Sequence, residues 1–118
     1  IVDDFIGVLN TKKLLLAKGV RCVDIVHSGQ SAIDKDNIDS YDVILMDKNM
    51  NNMSGPQTTR QLRENGNKAI IYAFTGDCYN LASLNKQFKI DEGGVNGILY
   101  KPLDCNILFE YITRDLNA

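Results

Sequence analysis

The sequence lacks a strong charge of either sign. Its formal net charge is −2, so it offers no basic field to draw in nucleic acid or an anionic membrane surface. Long hydrophobic runs are also missing. The longest, "AIIYAF" at residues 69–74, falls far short of the ~20 apolar residues that a membrane-spanning helix needs. Cysteine is scarce and scattered. Cys22, Cys78 and Cys105 form an odd set without CxxC spacing. That argues against a disulfide framework and against a zinc site, and it reads as three reduced thiols in a cytoplasmic domain. No repeat, low-complexity segment, linker or signal-peptide pattern stands out. What remains is an ordinary globular composition, 44% hydrophobic and 24% charged over 118 residues. One domain, 1–118, is expected, burying roughly two thirds of its unfolded surface. Because it opens on Ile1, it is expected to be cut from a longer protein.

Apolar runs alternate with amphipathic stretches. "IV" at 1–2 reads as the stub of a strand, and residues 5–19 as a helix with Ile6, Leu9, Leu14 and Leu16 at helical spacing and Gly19 as its stop. Residues 21–26 read as a strand and 28–35 as a short helix. "DVILMD" at 42–47 is a strand of the kind buried on both faces. The helix over 55–66 has Pro56 in its first turn and Gly66 as its stop. A strand over 69–76, a helix over 78–89, a strand over 94–100 and a helix over 104–116 complete the chain. The last helix is capped by Asp104, with Ile107, Leu108, Tyr111 and Ile112 assigned to one face. Five strands alternating with five helices predict an α/β, doubly wound (βα)5, flavodoxin-like fold. Its five-stranded parallel sheet would have the order 2-1-3-4-5.

In such a sheet, chemistry gathers beyond the carboxyl ends of the strands. The first strand delivers Asp3 and Asp4, the third Asp47, the fourth Thr75, Gly76 and Asp77, and the fifth Lys101 and Pro102. Three carboxylates within about 5 Å cannot all stay ionised unaided. With oxygen ligands only, the compensating cation is hard, pointing to Mg²⁺ with Mn²⁺ as a substitute. Lys101 suits phosphate oxygens and Thr75 adds a hydroxyl donor. The site therefore reads as a carboxylate that accepts a phosphoryl group. An acid at one strand end is commonly a helix cap or loop residue; the combination at four strand ends carries the reading.

The segments "IVDD" at 1–4, "YDVILMDKNMNNMSG" at 41–55, "FTGD" at 74–77 and "GVNGILYKPLD" at 94–104 resemble the receiver domain of two-component response regulators and hybrid histidine kinases, over essentially the whole chain. The resemblance is strongest to the receiver of a hybrid histidine kinase. It implies that Asp47 is the phosphoacceptor of a phosphorelay. Asp4 would bind Mg²⁺ directly, Asp3 through water, and Asp47 and the backbone carbonyl of Asn49 would complete the ligands. Thr75 and Lys101 would grip the phosphoryl oxygens, and Asn49 and Asp77 would flank the path of the hydrolytic water. The Lys101–Pro102 bond would be cis. The partner would be a histidine kinase or histidine phosphotransfer domain, and a homodimer would form through the face of the fourth helix, fifth strand and fifth helix. Such a domain is not an enzyme in isolation, beyond its self-catalysed phosphorylation and dephosphorylation. The parent chain would be a hybrid kinase, itself open to membrane anchoring.

The sequence departs from the family's pattern in the loop after Asp47 and in the last strand. The loop after Asp47 has Asn51 where the family usually has Pro, which frees a backbone φ. Ile98 stands three residues before Lys101, where many receivers carry an aromatic. Tyr100 is expected on the opposite face from Ile98. His27, the one histidine, is expected at an edge, away from the acids. A degenerate receiver that only binds, and a Mg²⁺-dependent phosphohydrolase of the haloacid dehalogenase class, are the competing functions. The intact constellation argues against the first. The second needs an Asp two residues after the nucleophile, where Asn49 stands.

Overall fold

A computed structural model describes residues 1–76, 81–90 and 92–117. Its regular strands are β1 (Val43–Met46), β2 (Ile70–Thr75) and β3 (Gly97–Tyr100). They pair in parallel, in the order β1-β2-β3. Two parallel bridges extend this sheet at its β1 edge, joining Val2 to Met46 and Val2 to Val26. Counted by chain segment, the order across the sheet is therefore 2-1-3-4-5, as expected. The segment over 21–26 is less regular than expected. Val26 makes its one bridge to the sheet, to Val2, and Asp24 O accepts from the Ile1 nitrogen at 2.8 Å.

The helices among the described residues are α1 (Val8–Ala17), α2 (Gly29–Asp34), α3 (Gly55–Glu64), α4 (Leu81–Gln87) and α5 (Cys105–Leu116). Their starts are written locally. Ser28 caps α2 by accepting from the Ser31 N–H, and Asp104 caps α5 by accepting from the N–H groups of Asn106 and Ile107. Ser54 and Gln57 close a reciprocal capping box on α3, with Pro56 in its first turn. Gly19 and Gly66 follow α1 and α3 at φ +99° and +89°, a conformation that side chains with a Cβ resist.

Successive strand residues face opposite ways, and both faces are buried. Ile44, Met46, Ile71, Ala73 and Ile98 enter a core with Ala32, Leu62, Leu84 and Phe88. Leu45, Tyr72, Phe74 and Leu99 enter a second with Leu15, Leu103 and Leu108. Of the helices that cover these cores, α1 turns differently from the sequence pattern, and α5 departs from it at one residue. On α1 the buried residues are Val8 and Leu15, while Leu9, Leu14 and Leu16, with Ile6 just before the helix, are all exposed. On α5, Leu108 is buried, Tyr111 and Ile112 pack against the core, and Ile107 is exposed. Both helices carry more apolar residues than one face can hold, so spacing alone does not select the buried set.

At the end of the sheet opposite the acids, Arg63 fastens α3 to the loop before β3. Its guanidinium donates to the carbonyls of Asn67, Ala69 and Gly94 and to Asn96 Oδ1. Among the described cysteines, Cys22 is an exposed thiol and Cys105 a buried one; Cys78 lies outside the described residues. No helix of the described residues is long and apolar enough to cross a membrane.

Candidate functional site

The site is built where the ladder runs out. Asp3, Asp47 and Lys101 each follow the last regular pairing of their segments, and each is still held by one further backbone rung. The Asp3 N–H donates to Val26 O at 3.0 Å, the Asp47 N–H to Val2 O at 2.9 Å, and the Lys101 N–H to Thr75 O at 2.9 Å. The sheet thus fixes the Cα positions from which all three side chains leave. The loop after Asp47 is drawn back onto its base, because the Gly55 N–H donates to Lys48 O at 2.8 Å. Gly55 is needed there: a Cβ at this position would stand 2.0 Å from the carbonyl oxygen of Asp47.

Asp3, Asp4 and Asp47 each offer a carboxylate oxygen, and these atoms lie within 4.8 Å of one another. Asp3 is fully buried, Asp47 nearly so, and Asp4 is exposed. Lys101 Nζ reaches both buried acids, donating to Asp3 Oδ2 at 2.6 Å and to Asp47 Oδ1 at 3.2 Å. Its ammonium also stands 5.4 Å from the centre of the Phe74 ring. The other Asp3 oxygen accepts from the Phe5 N–H at 2.9 Å. Thr75 ends β2 as a buried hydroxyl.

Lys101 pairs with two of the three acids, Asp3 and Asp47. Burial, and then the neighbouring Asp3 charge, push the Asp47 carboxyl up to about 6, against the pull of Lys101. Burial would lower the Lys101 ammonium, but its hydrogen bond to Asp3 and the Asp47 charge raise it overall. Lys101 therefore stays charged, and the cluster still lacks positive charge. An oxygen-only donor set, short of positive charge and open at Asp4, fits a hard divalent cation.

The chain compares directly with known proteins. The model of the response regulator receiver domain matches residues 1–113. The chain belongs to this family.

The receiver is 32% identical over 108 residues to the sensor protein EvgS of Escherichia coli K12, covering 88% of this chain and 9% of that protein. It is 33% identical over 116 residues to two-component response regulator 24 of Arabidopsis thaliana, covering 97% of this chain and 80% of that one. The receiver domain of sensor histidine kinase PA1611 from Pseudomonas aeruginosa superposes with a TM-score of 0.79 at 26% identity, covering 99% of this chain and 94% of that one. That structure has a magnesium ion coordinated in its active-site cleft. The receiver thus spans about a tenth of the length of its sensor-protein relative.

Within the receiver, the structure brings Asp3, Asp4, Asp47 and Lys101 together at one edge, with Thr75 ending the neighbouring strand. Asn49 is exposed in the loop that follows Asp47. Asp77 lies outside the described residues. The Lys101–Pro102 bond is cis. Two expectations are corrected. Tyr100 lies on the same face of β3 as Ile98, not the opposite one, because residues two apart in a strand share a face; both line one cleft with Leu81 and Tyr111. His27 is not away from the acids: its Nδ1 lies 3.1 Å from the carbonyl oxygen of Asp3. Reading Val26 as paired to the first strand would have placed its successor beside Asp3. Phe74, beneath the Lys101 ammonium, was likewise legible as the residue before Thr75.

Proposed function

We propose that this receiver takes a phosphoryl group from a phosphohistidine of a histidine kinase or histidine phosphotransfer domain onto Asp47, in a Mg²⁺-dependent reaction, and signals by the change that follows. A single observation carries the reading: Lys101 bridges the buried Asp3 and Asp47 carboxylates while a third acid, Asp4, completes the cluster at the surface.

Asp3, Asp4, Asp47 and the backbone carbonyl of Asn49 are the proposed ligands. The bound ion would supply positive charge to the acids and to the phosphoryl oxygens. An Asp47 carboxylate oxygen forms the new bond to phosphorus, and the phosphorus–nitrogen bond breaks with its electron pair returning to the partner's imidazole. Lys101 pairs with the phosphoryl oxygens as charge moves onto them, and the Thr75 hydroxyl donates to another. The rung that holds each residue fixes these groups before the partner arrives, which is where positioning catalysis comes from. Asn49 and Asp77 modulate the later attack of water on the phosphoryl group.

Incubation with Mg²⁺ and acetyl phosphate, followed by intact-mass measurement, tests the reading. One phosphoryl addition is expected for the parent and none for Asp47→Asn. Addition to the Asp47→Asn variant, or none to the parent, would overturn it.

A further inference from the structure

The parallel ladder at the sheet edge ends on a side chain. The Val26 N–H donates to Ile1 O at 2.9 Å, and the Asp3 N–H donates to Val26 O at 3.0 Å. In a regular parallel pair the next rung would run from the N–H of residue 28 to the Asp3 carbonyl. The chain leaves the sheet at that point, because Ser28 is already the N-cap of α2. The rung is made instead by the ring of His27, whose Nδ1 lies 3.1 Å from Asp3 O. A carbonyl oxygen can only accept, so a hydrogen bond here needs the proton on Nδ1.

We propose that His27 is a positioning residue for the acid cluster, its ring closing the last rung of the sheet edge and thereby fixing the Asp3–Asp4 peptide so that Asp4 is held beside Asp3 and Asp47 for the divalent cation. Asp3 is tied at every polar group. Its N–H goes to Val26, its carboxylate to Lys101 and the Phe5 N–H, and its carbonyl to His27. The carbonyl bond bears directly on Asp4, because that carbonyl and the Asp4 nitrogen belong to one planar peptide. Asp4 is the exposed acid of the three, standing between the Val2 bridge and α1. Groups that orient a metal ligand from behind commonly govern affinity.

The inference rests on the proposed metal binding, and two measurements separate the failure of one from the failure of the other. The first is the Mg²⁺ dissociation constant from an NMR titration of backbone amides, with melting in chelator alongside. His27→Ala should weaken Mg²⁺ binding about 3–10-fold, below the larger losses seen for buried outer-shell partners. His27→Asn places a side-chain N–H within reach of the same carbonyl and should recover most of the affinity. Both variants should melt near the parent in chelator. An unchanged constant in His27→Ala, no recovery in His27→Asn, or a large drop in melting temperature tracking the affinity loss would each overturn the positioning role. The second measurement is amide hydrogen exchange of Asp4 and Phe5 in metal-free protein, which should quicken in His27→Ala but not in His27→Asn. Unchanged exchange overturns the inference whatever the metal does, whereas a parent that binds no Mg²⁺ at millimolar concentration overturns the proposed function itself.

Discussion

Lys101 donates to the fully buried Asp3 carboxylate at 2.6 Å, across 98 positions of chain, and stands farther, at 3.2 Å, from Asp47. The lysine is therefore first a partner for Asp3. Removing it would strand a buried charge, left with the Phe5 N–H. Lys101→Ala should lower stability in chelator by about 3 kcal/mol, read by urea denaturation. A loss below about 1 kcal/mol would mean that Asp3 is not held by this ion pair.

Asp47→Asn should do the opposite. It removes one of three crowded acids and leaves Lys101 paired with Asp3. Stability in chelator should rise by roughly 1 kcal/mol, and the gain should shrink in saturating Mg²⁺. A variant less stable than the parent in chelator contradicts this.

The same acid sets a pH signature. Its carboxyl sits at about 6 in the fold against an ordinary 3.8. Between those values the folded state binds the proton and the unfolded state has lost it, so stability falls as pH rises through the window and levels off above it. The Asp47→Asn variant lacks this contribution. The stability difference between variant and parent in chelator should therefore grow from about pH 4 to about pH 6. A pH-independent difference would remove the raised carboxyl from the account.

Gly55→Ala should damage the site through the backbone alone. The added Cβ would fall 2.0 Å from Asp47 O and 3.1 Å from the Lys48 Cα. A contact with backbone cannot be relieved by turning a side chain, so a loss of about 2 kcal/mol or more is expected. Phosphorylation by acetyl phosphate should slow in the fraction that remains folded. A variant as stable and as quickly phosphorylated as the parent would show that α3 can retreat from Asp47 freely.

Asn49 is exposed beside the phosphoacceptor, small and polar, and should leave water free to reach the phosphoryl group in line. A short-lived phosphoryl group is expected. Asn49→Met should slow its decay after the donor is removed, while Mg²⁺ binding stays largely intact because the proposed ligand is the backbone carbonyl. Equal decay in both proteins would show that access at this position does not set the lifetime.

Most elements, and the chemistry they carry to one edge, were legible in local patterns of residues. Apolar runs that end on Asp3, Asp47, Thr75 and Lys101 are local facts, and so are the stops at Gly19 and Gly66 and the cap at Asp104. Parallel connectivity then leaves few ways to arrange the strands, and it sends every carboxyl end to the same side. Packing between layers, and not local spacing, set which way α1 turns, burying Val8 and Leu15 and exposing Leu9, and left Ile107 of α5 outside. The tertiary structure alone decided that Lys101 favours Asp3, that Asp47 is pushed up by burial, and that the His27 ring finishes the sheet edge. Each of those depends on distances between residues far apart in the chain. Such distances follow from how the sheet twists and how the layers settle against it, and no local spacing encodes them.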